Sequence, residues 1–239
     1  MNRRRWRIRR PLEGFSFSRC TGRIRAMSEH TPYNRIAGQS TGRLAALSDG
    51  VFAVAMTLLV LDLRAPAAEA IHSEHDLWRA LAALSPKLVM YAMTFMTLGI
   101  FWVGQQTQLN HLERSDRALS WIHIFFLAAV SVMPFSTSLL AEFANYRAAL
   151  LVYYANIGVL GLALYLSWSC ATANRLLKPD VGAIIDSAIK RRIVIAQILY
   201  AAAAALCFFD TRWSIGAILA LQLNYAFGTR MPGWLKRRS

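Results

Sequence analysis

Six stretches of this chain are apolar enough to cross a lipid bilayer as helices, or nearly so. They cover approximately residues 44–63, 87–108, 119–141, 149–172, 193–209 and 213–228. A spanning helix needs roughly 17–25 mostly apolar residues, because each residue advances ~1.5 Å through a hydrocarbon core about 30 Å thick. The fifth and sixth stretches are short, and the sixth carries Gln222 and Asn224. The connections are too brief to hold a soluble domain, which takes about 50 residues or more. Charged residues are 17% of the chain, against about a quarter in soluble domains. The expected fold class is therefore an all-α integral membrane protein with six transmembrane helices, and its function must sit in those helices.

The basic residues sort by side. Arg35 and Arg43 precede the first span, Arg114 and Arg117 follow the second, and Arg175, Lys178, Lys190, Arg191 and Arg192 follow the fourth. Lys236, Arg237 and Arg238 end the tail, whereas the alternate connections hold only Arg64, Arg79, Arg147 and Arg212. An even number of spans with both termini cytoplasmic satisfies the positive-inside rule. The expected organisation is a basic cytoplasmic arm over 1–43, a membrane domain over 44–228 and a basic cytoplasmic tail over 229–239. Trp102, Trp121, Trp168 and Trp213 fit either interfacial anchoring or packing. Nine arginines fall before Met27, with Glu13 the only acid among them. Such an arm suits anionic lipid or nucleic acid, or is a solvated extension ahead of a start at Met27; no nucleic-acid partner is expected. Cys20, Cys170 and Cys207 lack paired spacing and read as reduced packing residues.

The first span, "LSDGVFAVAMTLLVLDL", is the most informative. On a helical wheel Val54, Thr57, Leu58 and Leu61 share an arc of roughly 100°, and Asp49 lies about 130° from its middle. A carboxylate within a span is costly unless paired or near water, so Asp49 should face another helix or another subunit. Arg43 lies too far along the same helix to pair with it directly. The aliphatic arc is compatible with lipid, with packing or with a pore wall, and periodicity alone does not separate these. Asp62 reads equally as an acid ending the helix at the interface or as a device that concentrates cations.

Arg43, then three residues, then Leu47-Ser48-Asp49-Gly50 resembles the R-x-x-x-F-S-D signature opening the first helix of the transmembrane protein 175 family, the endolysosomal potassium channel and its prokaryotic homologues. "MPFSTSLL", Met133 to Leu140, resembles the P-F-x-T segment of that family's third span. Six spans in a chain of this length match the prokaryotic layout. The resemblance implies a homotetramer in the cell membrane, with the first helices lining a central pore. It implies a constriction built by Val54, Leu58 and Leu61, with Thr57 associated with potassium preference and potassium as the permeant ion. No cofactor or metal is expected. The signature phenylalanine is replaced by Leu47. The family's W-x-x-H-H reads Trp102-Val103-Gly104-Gln105-Gln106, and an asparagine expected early in the third span is His123. In the family the Arg-Ser-Asp signature is tied by hydrogen bonds to these second- and third-span groups, so Arg43, Leu47, Ser48, Asp49, Trp102, Gln106 and His123 form the expected anchoring set. Glutamine donates and accepts much as neutral histidine does, but it does not titrate.

The main rival is a proton-coupled secondary transporter using Asp49 or Asp62, although no related halves with broken helices are visible. "HSEHD", His72 to Asp76, offers histidines at i and i+3 without a convincing third ligand. No serine–histidine–acid partnership or glycine-rich phosphate loop supports an enzyme.

Overall fold

The computed structural model describes residues 40–226. The arginine-rich arm before Ser40 and the 229–239 tail lie outside the described residues. The described part is built of helices joined by short connections. Helix α1 (Thr41–Leu58) continues as a tighter 3-10 turn over Leu59–Asp62, and the short α2 spans Glu74–Ala83. Then follow α3 (Ser85–Asn110), α4 (Arg117–Glu142), α5 (Arg147–Ala173), α6 (Ala183–Ala205) and α7 (Thr211–Ala226).

Five helical segments of 22–27 residues are long and apolar enough to cross a membrane: Thr41–Asp62, Ser85–Asn110, Arg117–Glu142, Arg147–Ala173 and Ala183–Phe208. They correspond to the first five expected spans. The sixth is α7, whose described part is 16 residues. At ~1.5 Å per residue it reaches about 24 Å. Its Gln222 is fully buried and donates to Thr97 Oγ1 on α3 at 2.6 Å. The polar residue that weakened this segment's hydropathy thus places its amide nitrogen on a partner inside the protein and away from lipid, while its Oε1 has no protein partner among the described residues.

One boundary moves for an electrostatic reason. The fifth span starts at Ala183, well before the expected 193, and takes Lys190, Arg191 and Arg192 into the helix. Asp186 pairs with Lys190 one turn on at 3.0 Å and accepts from Trp168 Nε1 at 2.8 Å, so the charged stretch is held helical against α5. On the same side of the bundle, Arg175 adopts a φ of 53° and turns the chain out of α5, with Leu176 N–H donating back to Ala171 O at 3.0 Å. The connection then lies alongside the α3–α4 turn, with Glu113 N–H on Leu176 O at 2.9 Å and Lys178 N–H on His111 O at 3.0 Å.

The core is apolar at its edges and polar at one level. Phe52, Phe126, Met93, Met133 and Tyr153 are buried among the helices. Thr97 and Thr94 bond the Tyr153 hydroxyl at 3.1 and 3.3 Å, and Thr94 also meets Thr137 at 2.7 Å. With Gln222 these residues link α3, α4, α5 and α7. In the segment beginning "MPFST", Pro134 lacks an N–H, and Thr137 returns its hydroxyl to Met133 O at 2.8 Å.

The "HSEHD" segment has a local explanation. Ser73 caps α2 by accepting from Asp76 N–H at 3.1 Å and donates to the Asp76 carboxylate at 2.7 Å, while His75 meets Arg79 at 3.0 Å. Among the described residues, no three histidine, cysteine, aspartate or glutamate side chains come together as a metal site.

Candidate ion pathway along the first helix

Helix α1 presents two unlike faces. Ser48, Phe52, Ala55 and Leu59 recur at intervals of three and four and are at most 2% exposed. This is the face packed on α3 and α4. The opposite face carries Leu47, Val54, Leu58 and Leu61, which are 49%, 57%, 43% and 67% exposed. Thr57 is exposed between them.

The buried face begins with polar ties. Ser48 donates to Leu44 O at 2.8 Å and accepts from Gln105 Nε2, also at 2.8 Å. Gln105 Nε2 also contacts His123 Nε2 on α4. An amide nitrogen has two hydrogens to give, so this geometry has the His123 ring accepting as a neutral imidazole. Ser48, Gln105 and His123 are all buried, and one chain of contacts thereby joins α1, α3 and α4. Asp49, rotated ~100° from Ser48, uses a different pair of donors. Its Oδ1 accepts from Trp102 Nε1 and Gln106 Nε2, both at 2.7 Å. Trp102 and Gln106 stand one turn apart on α3, so one carboxylate oxygen bridges that turn. Hydrogen bonds to a charged acceptor are the stronger kind.

Of the expected anchoring residues, the structure brings Ser48, Asp49, Trp102, Gln106 and His123 together. Arg43 and Leu47 stand apart. Both are exposed on the other side of α1, and among the described residues no acid pairs with the Arg43 guanidinium. Gln105 was missing from the expected set although it is the residue that joins Ser48 to His123. Its signal was the spacing Trp102, Gln105, Gln106, which places all three within one helical turn.

Where the stripe reaches Leu58 and Leu61 the helix tightens into 3-10 geometry, in which residues three apart eclipse. Leu58 and Leu61 therefore stack nearly in line at this end. Thr57 Oγ1 donates to Val54 O at 2.9 Å, which commits the hydroxyl hydrogen to the backbone and leaves oxygen lone pairs toward the open side. Asp62 accepts from Ser138 Oγ and so tethers the end of the first span to α4.

The described residues thus form a helical integral membrane protein. Its first helix is locked to its neighbours on one side and presents a mainly aliphatic stripe, with Thr57 in it, on the other. A family model described as "Endosomal/lysosomal potassium channel TMEM175" matches residues 43–134. A protein of Streptomyces collinus named a potassium channel is 32% identical over 192 residues, covering 78% of this chain and 92% of that relative. A protein of Chamaesiphon minutus, also named a potassium channel, is 31% identical over 190 residues, covering 78% of this chain and 93% of its own length. A crystal structure of a lysosomal potassium-selective channel TMEM175 homologue from Chamaesiphon minutus superposes with a TM-score of 0.69. It shares 28% identity and covers 80% of this chain and 98% of that one. The chain belongs to the TMEM175 family, whose members are ion channels and not enzymes.

Proposed function

We propose that this chain is a potassium-selective channel that assembles as a homotetramer, four copies of α1 surrounding the pore with Val54, Thr57, Leu58 and Leu61 facing the ions. The observation that carries the reading is the exposed aliphatic stripe directly opposite a face fixed by buried hydrogen bonds. The names of the relatives, potassium channels that this chain matches over more than nine-tenths of their length, support the choice of ion.

An aliphatic neck offers no ligands to replace an ion's water. Potassium gives up hydration more cheaply than sodium, so a narrow apolar constriction passes it preferentially. Four Thr57 oxygens beside the neck supply partial compensation. The stacked Leu58 and Leu61 rings are where dewetting closes the path. Ser48, Asp49, Trp102, Gln105, Gln106 and His123 hold α1 at the angle that sets the neck's width and do not touch the ion. The family signature residues Arg43 and Leu47 lie on the stripe side and belong to the contact between copies or to the pore mouth. Both termini are cytoplasmic, following the distribution of basic residues.

The test is ion flux into liposomes holding the purified full chain. Potassium uptake well above sodium uptake, with unitary current steps in planar bilayers, is the expected result. Equal slow uptake of both ions with no unitary steps would remove the channel reading and favour a carrier.

A further inference from the structure

A cavity of about 360 Å³ opens between α3, α5 and α6, with α7 contributing Tyr225. This volume falls in the ~300–1,000 Å³ range of ordinary ligand sites. Its wall is mostly aliphatic, with Ile100 and Val103 from α3, Leu164 from α5, and Ile185, Ile189 and Ala196 from α6, interrupted by polar groups such as Gln108 and Gln197. From Ile185 to Ala196 the α6 wall runs about 16 Å at ~1.5 Å per residue. The cavity is therefore long as well as greasy, and it lies across the α3–α5 flank, apart from the α1 stripe.

One cation belongs to it. Arg192 lines the cavity, is exposed, and falls inside the candidate span Ala183–Phe208. The neighbouring Lys190 is already paired with Asp186. A further ion pair, Lys87–Glu142, involves α3 and α4. No carboxylate of the described chain neutralises Arg192. Its side chain stands where the apolar run of α6 begins, beside Arg191, on the end of the bundle that carries Arg114, Arg117, Arg175 and Lys178. An unneutralised arginine at the start of an apolar run is placed to extend to the interface and meet an anion there. Deeper in the wall, the buried Gln108 gives its amide hydrogen to Leu164 O at 3.1 Å while its Oε1 has no protein partner.

We propose that this cavity holds an anionic phospholipid, its phosphate on Arg192 and an acyl chain along the aliphatic wall between α3 and α6. Charge complementarity selects the occupant. A zwitterionic lipid supplies the chain but no net negative charge, and a neighbouring copy of this chain would have to bring an acid to Arg192. The site does not depend on which ion the channel passes, and its test reads binding, not flux.

The full chain is exposed to mixed micelles of equal phosphatidylglycerol and phosphatidylcholine, and retained lipid is counted by native mass spectrometry. Phosphatidylglycerol should be retained about five-fold over phosphatidylcholine, the preference that one cation near a membrane surface confers. Arg192→Gln should bring the two lipids to parity, and Arg192→Lys should keep most of the preference. Ala196→Phe, which fills the wall, should lower retention of both. Equal retention of the two lipids by the unmodified chain, or a preference untouched by Arg192→Gln, overturns the proposal. So does an Ala196→Phe protein that loses its oligomer while each chain keeps its lipid, since that identifies a neighbouring copy as the occupant. If Ala196→Phe does not fold, the two Arg192 variants decide the matter alone.

Discussion

The two faces of α1 are built from different chemistry and complete themselves in different places. The buried face reads Ser48, Phe52, Ala55, Leu59, and it meets everything it needs within its own chain: a serine tied to Gln105, and aromatic and aliphatic contacts to α4. The exposed face reads Leu47, Val54, Leu58, Leu61 and leaves much of each side chain uncovered. In a membrane protein such a face is finished by lipid, by another subunit or by a pore. Asp49 stands at the border, its charge engaged by Trp102 and Gln106 at 2.7 Å. The contrast teaches that polar residues in a span need not be the ones that handle ions. Here Ser48 and Asp49 are hydrogen-bonded to α3, and in the function proposed above the aliphatic residues face the ions.

That contrast should break most visibly at the proposed constriction. Leu58→Ala removes most of the side chain from the open face and nothing from the buried one. Potassium flux in liposomes should rise roughly tenfold while preference over sodium falls, as expected when a hydrophobic neck widens. Thermal stability should hold. Unchanged flux and selectivity would mean that the stripe faces lipid.

A substitution on the fastening side should do the reverse. Gln105→Leu leaves Ser48 and His123 without their shared partner in a dry site, at a cost of about 2 kcal/mol, within the usual range for an orphaned buried polar group. The expected readout is a lower melting temperature and less oligomer on a sizing column. The protein that does assemble should keep its ion preference. A change of selectivity at full stability would erase the distinction between the two faces.

The smallest effect should come from Asp49→Asn. The amide oxygen still accepts from Trp102 and Gln106 but without charge, so the loss should be about 1 kcal/mol, the difference between charged and neutral hydrogen bonds. A modest fall in oligomer and melting temperature with normal selectivity is the outcome that sharpens the assignment. Intact assembly with altered selectivity would make Asp49 part of the ion path.

Much of this was legible in the sequence because membranes make strict demands. Length and hydropathy located the five long spans, and a period of 3.6 put Val54, Thr57, Leu58 and Leu61 on one face and Asp49 on another. The α6 start was hidden because Lys190, Arg191 and Arg192 look like loop; only the Asp186–Lys190 pair, braced by Trp168, explains their helicity. Gln222 looked like a flaw in the sixth segment, since hydropathy does not know that Thr97 waits for it on α3. Gln105, quoted in the second-span motif, is left out of the expected anchoring set in favour of Gln106 for a related reason. Adjacent residues on a helix diverge by ~100°, and which of two glutamines turns inward depends on the rotation of α3.

By itself, the sequence determined that the chain lives in a membrane and that its first helix has an aliphatic side and a polar side. These follow from local periodicity and from the cost of leaving backbone or charge unsatisfied in lipid. Only the tertiary structure decided which side is buried, that Ser48 and Asp49 bind α3 through separate donors, and that Arg192 faces a cavity with no acid of the described chain beside it. Those outcomes depend on how helices far apart in sequence are rotated against one another, and no local pattern encodes that rotation.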